Sequence, residues 1–150
     1  MIVLGVAPEP GSILCVLVTG TPSAPKRIDL EQVRQKLAGS AEPASALLAF
    51  FKWARTFIAQ HNVTDVAIIQ GQGGKFAASP ERVKLETAVS LAGADLDRRV
   101  HLVSKTRLRA REKKFESETG HSVEVVLNGG EAFKPKDLRE AILVAWTVLS

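Results

Sequence analysis

The sequence has a single cysteine, Cys15, which excludes an internal disulfide framework and a cysteine-rich zinc site. Cys15 lies in a strand-like run and reads as a buried small apolar residue. Tyrosine is absent and tryptophan occurs only at positions 53 and 146, so surfaces for base stacking are scarce. Both tryptophans fall in apolar helical stripes and read as core. His61, His101 and His121 are scattered without ligand spacing and are assigned no metal role. No apolar run reaches the roughly 18 residues that a membrane span requires. The opening MIVLGVAPEP has no basic n-region, so no secretory leader is expected. Repeats, low-complexity stretches and linkers are also missing. One domain over residues 1–150, in a reducing, cytoplasmic setting without membrane contact, is the expectation.

Apolar residues make up 45% and charged residues 24%, which excludes a disordered chain. The net charge of +4 is unevenly spread. Residues 98–114, RRVHLVSKTRLRAREKK, hold eight basic residues and one acidic one, so the remainder is slightly acidic. Such a patch is the footprint of a polyanion-binding face, nucleic acid above all. A solvated helix face rich in lysine and arginine is the plain alternative.

Met1–Ala7 and Ile13–Gly20 are short apolar runs separated by Pro8-Glu9-Pro10-Gly11, the pattern of a hairpin. Lys26–Leu30 reads as a weak edge strand, and Leu30–Leu37 as one or two helical turns ended by Gly39. Pro43 opens a helix with Leu47, Leu48, Phe51, Ala54, Phe57 and Ile58 on one stripe. Val63–Ile69 is continuously apolar, as a strand buried on both faces would be. Ser79-Pro80 marks the start of the next helix, and Val100–Val103 the next strand. Ser104 caps a basic helix over Lys105–Glu116. Ser122–Leu127 is open between strand and loop. Pro135 begins a final helix that is strongly apolar toward Leu149. This order predicts an α/β fold: a mixed five-stranded sheet, its first three strands antiparallel, flanked by helices.

That order resembles the ribonuclease H-like fold, and three motifs narrow the likeness. GVAPEPGS (Gly5–Ser12) is similar to the first-strand motif of RuvC-like Holliday junction resolvases. DLREAILVAW (Asp137–Trp146) is similar to their final helix. GGKFAASPERVKLETAVSLAG (Gly73–Gly93) resembles a small uncharacterised bacterial family of this fold with a GKFA loop; Lys75, Phe76, Ala77, Lys84 and Glu86 match it. The likeness implies a nuclease that holds two divalent cations, magnesium or manganese, on carboxylates from three places. These are the end of the first strand, the end of the fourth strand and the last helix.

The residues at those places depart from that pattern. The first place holds Ala7, which offers no ligand. Glu9 is a substitute on the same side of an extended strand, but it lies about 6.6–6.8 Å further along, and Pro8 and Pro10 argue against the extension. The second holds Gln70, whose amide oxygen can touch a cation but adds no charge. The third is better kept. Asp137 and Glu140, at i and i+3, share one helix face and are candidate catalytic and metal-ligating residues. The helix dipole also favours acids there for stability alone. Two closely spaced ions would lack compensating charge, whereas one magnesium can be held by one or two carboxylates plus substrate phosphates.

GQGGKF (Gly71–Phe76) is not a Walker A loop, because Ile69 stands where its first glycine belongs and Phe76 replaces the Ser or Thr. Its glycines can still offer N–H groups to a phosphate, with Lys75 as a point charge and Phe76 as a stacking face; a tight connection with Phe76 in the core is the alternative. As a helix, the basic segment places Lys105, Arg109 and Lys113 on one stripe, with Arg107, Arg111 and Lys114 beside it. Three functions remain open. The leading one is a nucleic-acid-binding protein with a degenerate metal site and little or no cleavage. The second is an active metal-dependent nuclease that uses Glu9, Asp137 and Glu140 with Glu86. The third is a protein-interaction module or homodimer whose contact is Ala141–Leu149, although burial within the chain explains that segment equally well.

Overall fold

The apolar, β-branched runs at the N-terminus form β1 (Ile2–Glu9) and β2 (Ser12–Gly20), an antiparallel hairpin paired from Ile2↔Thr19 to Glu9↔Ser12. Pro10 and Gly11 make its two-residue turn. Gly11 has φ +78°, a value that glycine adopts freely. The strand runs on through Pro8 and Glu9, against expectation. Parallel pairing on the other side of β1 ends at Val6↔Ile68, so Pro8 lies where β1 is an edge and a missing N–H costs nothing there.

The computed structural model describes residues 1–37, 42–70, 79–133 and 138–150. β3 (Pro25–Ile28) pairs with the later part of β2. The expected helical turns at Leu30–Leu37 are instead β4 (Arg34–Lys36), paired with Ser12–Leu14. That stretch of β2 would otherwise leave buried backbone groups unbonded, and this demand outweighs a weak helical pattern. Gly39 lies outside the described residues.

α1 (Pro43–Gln60) starts with proline in its first turn and leads to β5 (Asp65–Ile69). α2 (Pro80–Asp95) is capped by Ser79, whose side chain accepts from the Arg82 N–H at 3.2 Å. β6 (Arg99–Val103) follows. α3 (Lys105–Thr119) is capped by Ser104, which accepts from the Arg107 N–H at 3.1 Å. The open segment at Ser122–Leu127 is helical, α4 (Val123–Asn128). α5 (Leu138–Val148) closes the chain.

The sheet order is β3-β2-β1-β5-β6, with β4 joined to β2; β1, β5 and β6 are mutually parallel. It is the expected mixed sheet with an antiparallel start and one additional short strand. Alternate strand residues feed two cores. Leu4, Val6, Ile13, Cys15 and Leu17 pack against α1 and α2 through Phe50, Ala54, Ile58, Leu85 and Val89. Val3, Ala7, Leu14 and Val16 pack on the other face against Leu108, Phe115 and α5. Burial pushes the Cys15 thiol up to about 12.

One expectation about side-chain faces is corrected and one open alternative is decided. The α1 core face is Ala46, Phe50, Ala54 and Ile58, while Leu48 is exposed. Ala141–Leu149 is enclosed by its own chain rather than offered as a contact surface: Ala141 through Thr147 and Leu149 are buried, and Trp146 donates through Nε1 to the Pro22 carbonyl at 2.9 Å. Among the described residues no helix is long and apolar enough to cross a membrane.

Candidate nucleic-acid interface

The parallel register of β1, β5 and β6 brings the ends of these strands to one edge of the sheet. Ala7 stands just past the last parallel pair of β1 with β5, and Gln70 directly follows β5. The Gln70 N–H donates to the Val103 carbonyl at 2.8 Å, which ties the tip of β5 to the tip of β6 and so to Ser104 and the start of α3. α5 reaches the same place. A methyl group on Gly5 would lie 2.1 Å from the Ala141 carbonyl oxygen and 2.8 Å from the Ala145 Cβ, so the helix crosses β1 with no side chain between them. Two residues on, Ala7 shares a core cluster with Leu138, Ala141 and Ile142. From the first turn of α5, Glu140 meets Lys105, with Oε1 and Nζ 3.5 Å apart.

The sequence-derived candidates are thus distributed as follows. Ala7, Gln70, Lys105 and Glu140 come to one end of the sheet. Glu9, at the tip of the hairpin, is held by Arg34 of β4 at 3.2 Å and accepts from the Ser12 hydroxyl at 2.7 Å. Glu86 is on α2, which packs on the opposite face of the sheet. Asp137, Lys75 and Phe76 lie outside the described residues. Among the described residues, no three His, Cys, Asp or Glu side chains come together to hold an ion. The donors at the strand tips are a methyl group, a neutral amide and a carboxylate already paired with an ammonium. Among the described residues that set alone brings one carboxylate, fewer than the several converging negative ligands two adjacent divalent cations need.

α3 divides its basic side chains between two directions. Leu108 and Phe115 bury its inner face. Arg107, Arg111 and Lys114 line an open cleft of about 570 Å³ between α3, His101 of β6 and Val148–Leu149. Arg109 and Lys113 are exposed and do not line it. Three acids of this region are engaged, Glu112 with Arg139, Glu140 with Lys105, and Glu118 with Lys114 of the cleft at 3.9 Å, while Glu116 on the same helix is exposed. Among the described residues no carboxylate pairs with Arg107, Arg109, Arg111 or Lys113.

One buried and one half-buried ionic group went unseen in the sequence. Asp65, 1% exposed, receives Arg99 at 3.0 Å, His101 Nε2 at 2.9 Å and the Thr64 hydroxyl at 2.8 Å. Burial alone would raise its carboxyl; hydrogen bonds from His101 and Thr64 and the charges of Arg99 and His101 outweigh that and hold it below the usual carboxylate range. Arg139 bridges Glu112 and Glu124, joining α3, α4 and α5. Burial would raise the Glu124 carboxyl, but the hydrogen bond from Arg139 leads the contributions that lower it. Apart from Thr64, none of these partners is close in sequence, so no local pattern announces the ion pairs.

A parallel-stranded half-sheet entered from an antiparallel hairpin, with its last helix laid across the first strand, defines a RuvC-like member of the ribonuclease H-like fold. The chain belongs to the family described as "Protein of unknown function (DUF3010)", whose model matches residues 1–141. Thermus thermophilus RuvC, solved in complex with a Holliday junction substrate, is similar at 18% identity, TM-score 0.75, over 98% of this chain and 91% of that one. The yeast mitochondrial Holliday junction resolvase Ydc2 is similar at 14% identity, TM-score 0.67, over 97% of this chain and 77% of that one. The fowlpox virus resolvase, solved with Holliday junction DNA, is similar at 12% identity, TM-score 0.54, over 97% and 94%. No curated protein gives a significant match.

Proposed function

We propose that this protein binds nucleic acid through the basic face of α3, on a resolvase-like scaffold whose metal site has been neutralised. The observation that carries the reading is the run of cations at Arg107, Arg109, Arg111 and Lys113, which no carboxylate among the described residues compensates, beside a strand-tip site in which Lys105 occupies Glu140. Unpaired guanidinium and ammonium groups on one helix attract a phosphate backbone and release its counterions. An ammonium at Glu140, with Ala7 and Gln70 opposite, supplies positive charge where a nuclease would need a cation held by carboxylates. The similar RuvC and fowlpox structures hold Holliday junction DNA, which makes branched DNA the first substrate to try.

The test is a binding and cleavage panel of branched DNA, duplex DNA and RNA in manganese. Binding without cleavage is the expected result. Cleavage abolished by Glu140→Gln would replace this reading with an active nuclease built on Glu140 and its neighbours.

A further inference from the structure

The cleft between α3, β6 and the end of α5 has a composition that a featureless cationic face lacks. One wall is basic: Arg107, Arg111 and Lys114, with His101 below. Ala110, on the same helix, and Val148 and Leu149 at the end of the chain add apolar lining. Arg111 is fixed in place, its guanidinium carbon 5.4 Å from the centre of the fully buried Trp146 ring, which Phe115 meets edge-on at 5.1 Å. A guanidinium held over an aromatic face loses less freedom on gripping an anion. His101 is likewise held, by its Nε2 contact with buried Asp65. The cleft is separate from the strand tips: Thr147, on its rim, is seven residues beyond Glu140, roughly 10 Å along the helix at about 1.5 Å per residue. Its 570 Å³ lies within the usual range of about 300–1,000 Å³ for small-molecule sites.

We infer that this cleft is a discrete site for one nucleoside phosphate unit, the phosphate gripped by Arg107 and Arg111 and the nucleoside laid along Val148 and Leu149. The inference rests on the same basic helix as the proposed function, but it asserts a saturable site of fixed size rather than a non-specific surface. Lys114 contributes less than the arginines because it is shared with Glu118. Either a free mononucleotide or a nucleotide within a strand presents this chemistry.

Calorimetric titration of the full chain with adenosine monophosphate and, separately, with inorganic phosphate tests it. The expected result is saturable one-to-one binding of the mononucleotide, tighter than that of phosphate alone. Arg107→Ala, at an exposed position, is expected to weaken it at least tenfold, while Lys52→Ala, on the opposite face of the sheet, leaves it unchanged. Absence of saturation at millimolar mononucleotide overturns the inference, as does equal affinity in Arg107→Ala, or phosphate alone binding as tightly as the nucleotide. Competition by a short single strand assigns the site to strand-borne nucleotides; its absence assigns it to free ones. Failure of the broader reading is separate, since it requires that no salt-sensitive binding of long nucleic acid be found even if the mononucleotide binds.

Discussion

Gly5 bears on the fold more directly than any charged residue near the site. α5 rests on it so closely that a single methyl group would meet the Ala141 carbonyl at 2.1 Å, a backbone atom with no side-chain freedom to yield. Gly5→Ala is therefore expected to destabilise the protein by at least about 1–3 kcal/mol, the usual cost of overpacking, seen as a lowered midpoint in denaturant titration. An unchanged midpoint would mean that α5 does not lie on β1 as described. Asp65 gives a second residue-scale prediction, in pH. Its carboxyl is lowered in the folded protein, so the unfolded chain binds the proton more readily. Its stabilising contribution is therefore present above the unfolded value, near pH 4, and is lost as pH falls through the lower folded value. Asp65→Asn should flatten the acid side of the stability profile; a parallel loss in both proteins would contradict the assignment. The Gly5 motif was legible as a first-strand signature. Asp65 was not, because its ion partners lie across the sheet at Arg99 and His101.

Among the elements, α3 carries the functional reading. Its outer side chains Arg109 and Lys113 are exposed and unpaired among the described residues, so each is available to a phosphate. Lys113→Ala is expected to weaken binding across nucleic acids alike and to reduce the magnitude of the logarithmic salt slope by about 0.9, one phosphate contact. A slope that does not change would remove Lys113 from the interface. The helix itself was legible in the sequence from Ser104 as its cap, and the structure extends it from Glu116 to Thr119. The failures elsewhere have a common cause. At β4 the backbone needs of β2 decided the conformation, and at α4 a run of β-branched valines took helical form where Val123 packs into the core and Arg139 fastens Glu124. Local propensity is a weak prior against such tertiary contacts. On α1, the spacing was read as one stripe through Leu48 and Phe51, and the position of the sheet turned the core face to Phe50 instead.

At the scale of the whole molecule, the sheet separates a core under α1 and α2 from one under α3 and α5, and the strand tips open on the second. The three places expected from the family likeness to gather acidic ligands were legible as Ala7, Gln70 and the start of the last helix. What no sequence pattern supplied was the Lys105–Glu140 pair, which depends on α3 and α5 starting beside each other. If neutral residues are what keep cations away, restoring acids should admit them. Ala7→Asp with Gln70→Glu is expected to lower stability in chelator, because Ala7 is 5% exposed and a carboxylate there lacks a partner. Manganese should then raise the melting temperature of the double variant and leave that of the unaltered protein unchanged. An equal rise in both would show that the native residues already hold the ion.

The most direct measurement is the affinity of the unaltered protein for branched DNA in chelator, followed as salt is raised. Around six phosphate contacts along α3 predict tight binding without any metal and a log–log slope near −5, at about −0.9 per phosphate. Binding that ignores salt, or that appears only when a divalent cation is added, would contradict the account.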